Sequence, residues 1–217
     1  MVHAVRASVR DVFIAFTERF EGAVPWLYAD VLGLITIAYG NLVDPLSTAL
    51  RLDLRRVDGS KADRSQITAE WLRVKGDPEC AKQGHRYAER ITSLRLTKQG
   101  AVDLAMWKAD VNDHILASLF PRWDSWPACA QLALHSWGWA CGIHAHFPKM
   151  FDALNAGDFH VASKEILLRE YGYLSGKTVR NFGVIPRNNA NRILLENAAK
   201  ITERNMPFDI IDWVNNV

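Results

Sequence analysis

The chain has 217 residues, 49% apolar and 23% charged, with 8 tryptophans, a balance that excludes intrinsic disorder. Its 26 Lys and Arg against 24 Asp and Glu leave a net charge of +2, too small to imply nucleic acid, and no basic run interleaved with aromatics offers a stacking surface for single strands. No secretory signal opens the sequence and no stretch is long enough to span a bilayer, so a protein made in the cytoplasm is expected.

Val9, Val12, Phe13, Phe16 and Phe20 recur at steps of three and four, the apolar stripe of a helix running from a Ser8 cap to Glu21. Gly22 and Pro25 should stop it. Trp26 to Tyr28 and Leu34 to Tyr39 are rich in aromatic and β-branched residues, and Ala29 to Gly33 separates them, which reads as a hairpin. Asp30 then lies at the turn and Thr36 on the returning strand, both able to face Glu21.

Two carboxylates on separate elements are what glycosidic hydrolysis requires, one protonating the leaving oxygen and the other serving the opposite face of the sugar. Glu21 beside Phe20 and Trp26 suits a desolvated acid, and Asp30 at a wet turn suits an ionised base. The ordered string Glu21-Gly22, Tyr28, Asp30, Gly33, Thr36, Ile37, Tyr39, Gly40 resembles the active-site segment of the phage-type lysozymes, muramidases that open bacterial walls. That resemblance implies the acid role for Glu21, support of the attacking water or developing cation by Asp30, and placement of that water by Thr36. It also puts Tyr39 and Asn41 among the substrate-binding residues. Ala38 stands where the family usually has Gly, and Asn41 where it has His.

The implied fold class is α+β, mainly α-helical: a lysozyme-like, two-lobed fold in which a small hairpin-containing lobe and a larger helical lobe flank a substrate cleft. The small lobe is expected over about 21–95, with the N-terminal helix 8–20 joining a helical lobe over 121–217. Asp44-Pro45, Asp58-Gly59-Ser60 and Gly76-Asp77-Pro78 mark turns, and helices are expected over Ser65 to Val74 and Pro78 to Leu94. The family's connection here is much shorter, so 44–95 reads as an insertion that enlarges the lobe, walls the cleft, or docks a carrier or inhibitor protein.

Thr97 should cap an inter-lobe helix over 97–120, apolar at Val102, Ala105, Met106, Ala109, Leu116 and Leu119 and interrupted by Asn112 and Asp113. Ala128 to Trp137 is apolar on nearly every side, a buried helix, followed by an expected break over Trp137 to Gly142. The family's cleft-lining Asn at this turn maps to Ser136, or to Trp137 if the alignment slips by one. Phe147 to Asn155 reads as a helix ended by Gly157, with Asp158 opening the next, and 151–159 resembles a turn of the family. Gly183 to Asn188 partly matches a helix start behind the catalytic acid; Arg187 matches its first arginine and is placed to orient Glu21. The segment from Met206 to Val217 reads as a short amphipathic helix or tail.

Cys80, Cys129 and Cys141 lack zinc or redox spacing and are expected as reduced thiols. His135, His144 and His146 have no carboxylate or thiolate companion at ligand spacing, so no metal and no cofactor is expected. The resemblance implies bacterial peptidoglycan as substrate, cut between N-acetylmuramic acid and N-acetylglucosamine, and favours inversion. Delivery to the wall would then fall to a holin, a phage particle or a secretion machine. A chitinase-like glycosidase and a non-cutting glycan-binding or partner-binding lysozyme fold are the alternatives; the intact Glu21, Asp30 and Thr36 argue against the latter. The small charge and the lack of a coiled-coil pattern favour a monomer.

Overall fold

A computed structural model describes residues 5–174, 177–180 and 184–212. By its internal contacts the chain divides into one unit formed by 1–20 with 109–217 and a second formed by 21–108.

The second unit is built on a three-stranded antiparallel sheet. Helix α1 (Ala7–Glu21) ends at Glu21, and Gly22 at φ +68° turns the chain into β1 (Val24–Ala29). β1 pairs with β2 (Ile35–Ala38), and β2 pairs with β3 (Asn41–Leu42). Alternation along β1 buries Leu27 and Ala29 on one face, while Trp26 and Tyr28 lie half-buried on the other. The hairpin is where the apolar pattern placed it.

The segment 44–95 folds as α2 (Leu46–Ala49), β4 (Leu54–Arg55), α3 (Arg64–Gly76), α4 (Pro78–Gln83), α5 (His85–Ile91) and β5 (Arg95–Leu96), with β4 and β5 paired. Asp63 and Gln66 close a capping box on α3, and Asp77 caps α4. The single helix expected over 78–94 is two, because Gly84 takes φ +69° and ψ −161°, which no helix interior accepts. α3, α4 and α5 all pack on β1. Leu27, Ile35, Ile37, Val43, Leu54, Val74, Ala88 and Leu96 form the core, each large aliphatic contributing roughly 2 kcal/mol of burial.

α6 (Lys98–Leu119) opens on Thr97, whose hydroxyl accepts the Gly100 N–H at 2.9 Å. Its Asn112 and Asp113 do not interrupt the buried face; both belong to it. In the first unit, α7 (Ala128–Cys141) is buried from Ala128 to Gly138 and packs against α10 (Val184–Glu203). α8 (Pro148–Ala156) closes on Gly157 in the left-handed region, and Asp158 caps α9 (Phe159–Glu165) through the Val161 N–H. β6 (Tyr171–Leu174) and β7 (Lys177–Arg180) form a separate antiparallel pair.

Two further local expectations change. α1 starts at Ala7, and the Ser8 hydroxyl bonds Asp209 rather than capping the helix. α7 runs through Trp137 and Trp139 and ends at Cys141, with the break at Gly142, φ +87°. After Glu203 the described residues to Asp212 form turns and no helix; 213–217 and Gly183 lie outside the described residues. The cysteines are free, Cys80 and Cys129 buried and Cys141 half-buried.

Candidate active site

Glu21 is delivered by the end of α1, and Asp30 by the turn that follows β1. That turn is closed twice. Asp30 N–H donates to the Leu34 carbonyl at 2.9 Å and Gly33 N–H to the Asp30 carbonyl at 2.9 Å. Asp30 Oδ1 accepts the N–H groups of Leu32 at 2.8 Å and Leu34 at 2.9 Å, an Asx turn that fixes the carboxylate. Gly33, at φ +74°, supplies the left-handed residue the turn requires. Asp30 Oδ2 has no hydrogen-bond partner among the described residues.

Thr36 stands directly opposite Tyr28 across the β1–β2 pair, so the two side chains share one sheet face. Its hydroxyl donates to the Leu34 carbonyl at 3.2 Å, leaving its lone pairs to accept. Tyr28 senses both carboxylates. Burial first, then the charges of Glu21 and Asp30, push its phenol up to about 12, so both carboxylates lie within electrostatic reach of one side chain. In the sequence Tyr28 is only one letter of the motif; the signal that singles it out is its cross-strand register with Thr36, which no sequence prints.

The substrate-binding set fares differently. Tyr39 and Asn41 are buried, and Asn41 Oδ1 accepts the Tyr39 N–H at 3.3 Å, stapling the turn around Gly40 at φ +79°. Ala38, in the glycine position of the motif, has φ +58°. Trp137 is 0% exposed, its ring edge-on to Phe147 at 5.4 Å and Phe151 at 6.1 Å, which makes it core rather than a sugar platform. Ser136 is buried on the same helix, and its carbonyl accepts from Arg187 at 3.2 Å. Arg187 is 4% exposed, not solvated, with its guanidinium 4.9 Å from the ring centre of Phe20, the residue before Glu21.

An endolysin from Escherichia coli O157:H7 phage FAHEc1 superposes with a TM-score of 0.54 at 16% identity, over 88% of this chain and 92% of that one. The muramidase domain of SpmX from Asticaccaulis excentricus gives 0.54 at 14% identity, over 89% and 97%. The fold is lysozyme-like. No protein-family model matches the chain, and no curated protein sequence does. The 44–95 segment packs against the hairpin: Trp26 Nε1 donates to the His85 carbonyl at 2.8 Å, the His85 ring meets Tyr28 edge-on at 6.1 Å, and Arg95 lies 5.0 Å from the Trp26 ring centre. Among the described residues no cluster of His, Cys, Asp or Glu is placed to hold a metal, and no helix is long and apolar enough to cross a membrane.

Proposed function

We propose that the chain is a muramidase: a glycoside hydrolase that cuts the β-1,4 bond between N-acetylmuramic acid and N-acetylglucosamine in bacterial peptidoglycan. The observation that carries this reading is the placement of Glu21 at the end of a helix, Asp30 in the hairpin turn that its own Oδ1 bonds hold, and Thr36 on the returning strand, in a lysozyme-like fold. Glu21 protonates the glycosidic oxygen. A water donates one hydrogen to the free Oδ2 of Asp30 and the other to the lone pairs of Thr36, which leaves its oxygen to attack C1. Tyr28 remains a neutral donor beside both carboxylates. Tyr39 and Asn41 serve this site by shaping the turn behind Thr36. The protein works as a monomer without cofactor, and a holin, phage particle or secretion machine carries it to the wall.

Digestion of purified peptidoglycan and of chitin, with the soluble products read by mass spectrometry, tests the substrate. Muropeptides with reducing muramic acid ends, and little release from chitin, are expected. Release from chitin at a comparable rate would move the assignment to a chitinase-like glycosidase.

A further inference from the structure

The insertion touches the catalytic turn at a point the hydrolytic chemistry leaves unexplained. Lys75, near the end of α3, donates from Nζ to the Gly33 carbonyl at 2.8 Å and pairs with the Asp44 carboxylate. Gly33 is the left-handed residue of the Asp30 turn, and its carbonyl accepts none of the turn's own backbone hydrogen bonds. Beyond the turn's own internal hydrogen bonds, its tip has little packing: Val31 and Leu32 are 71% and 76% exposed.

An exposed lysine pair usually contributes little. Here the ammonium has two acceptors on two different segments, and the Asp44 side chain is only 14% exposed. The element that carries Lys75 is itself anchored. Trp71, one turn earlier, donates from Nε1 to the Val43 carbonyl at 3.3 Å, which ties α3 to the chain just after β3. The buried carboxylate of Glu70 accepts the N–H of Ser93 at 2.7 Å and of Leu94 at 3.1 Å, which ties α3 to the strand returning from the insertion. A helix anchored at Trp71 and Glu70 therefore reaches a carbonyl of the Asp30 turn from outside it.

We propose that Lys75 is a positioning residue for the Asp30 turn, and that bracing this turn is a function of the insertion. This rests on the glycosidase reading above. Lys75 touches neither substrate nor the reacting atoms; it acts through Gly33 on the aim of the Asp30 carboxylate. Misplacement of a catalytic group by about 1 Å costs up to about a hundredfold in rate.

The test compares wild type, Lys75→Met and Lys75→Arg in the full chain by two independent readouts. Backbone hydrogen exchange at Leu32 and Leu34, whose N–H groups bind Asp30 Oδ1, should accelerate about tenfold or more in Lys75→Met, while Ser93 and Leu94, held by Glu70, exchange as in wild type and show the insertion still folded. On peptidoglycan, kcat should fall about tenfold with KM nearly unchanged, and Lys75→Arg, which keeps charge and donors, should recover most of it. Unchanged exchange at Leu32 and Leu34, or a loss confined to KM, overturns the brace. Inactivity of the wild type would instead strike the glycosidase reading, and the exchange data would still decide whether Lys75 holds the turn.

Discussion

Ala38 occupies the left-handed region at φ +58°, where an L side chain costs about 1–2 kcal/mol. Gly there removes that strain but gives back about 0.5–1 kcal/mol in unfolded-chain entropy. Ala38→Gly is therefore expected to stabilise by up to about 1 kcal/mol, and Ala38→Val, with its branched Cβ at positive φ, to destabilise by about 2 kcal/mol or more; urea midpoints measure both. The sequence marked this position only as a departure from the family's glycine, because a dihedral angle has no letter. Tyr28 carries a second prediction at this scale. Its phenol titrates at about 12 folded against 10.0 unfolded, so the stability it contributes is whole below pH 10 and lost as pH rises from 10 to 12. Buried Cys129, raised to about 12 from 9.0 by desolvation, loses its contribution in an overlapping window. Tyr28→Phe should flatten the alkaline fall in unfolding midpoint without abolishing it, and should lower kcat about tenfold by removing the hydroxyl donor.

At the scale of elements, α1, the β1–β2 hairpin, α6, α8 and the Asp158 cap were legible because 3.6-residue and two-residue periods, Gly and capping side chains are local signals. The split between α4 and α5 was not, since a lone Gly84 in a helical pattern is ordinarily tolerated. In the sequence Trp137 stands between core and cleft for a related reason: a tryptophan beside a glycine looks the same whether its helix ends there or continues to Cys141. Asn112 and Asp113 looked like a polar interruption of α6, whereas Asp113 Oδ1 accepts from Trp123 Nε1 at 3.1 Å and faces His135 Nε2 at 3.0 Å, all three buried. That bond set joins α6 to α7 and to the turn before it. Asp113→Ala leaves two buried ring nitrogens unpaired and is expected to cost about 3 kcal/mol or more, read from denaturant unfolding.

Across the whole molecule, each of the two units has its own aliphatic and aromatic core, and the lysozyme-like fold is matched over most of the chain at identities of 16% and 14%. At such identities the apolar periods survive while most individual letters do not. The string from Glu21 to Gly40 was legible as a motif because helix end, turn and strand follow one another within twenty residues. The contacts of the 44–95 segment with the Asp30 turn and its neighbours were not legible, because the bonds of Lys75, Trp71 and Glu70 join residues 23 to 42 positions apart. The most direct test of the account is turnover of purified peptidoglycan by wild type and Glu21→Gln, which keeps the shape of the side chain and removes the proton it transfers. Wild type should release soluble muropeptides and Glu21→Gln should retain no more than about 1% of that rate. Release by Glu21→Gln at the wild-type rate would contradict the assignment of Glu21 as the acid, and with it the mechanism proposed for this chain.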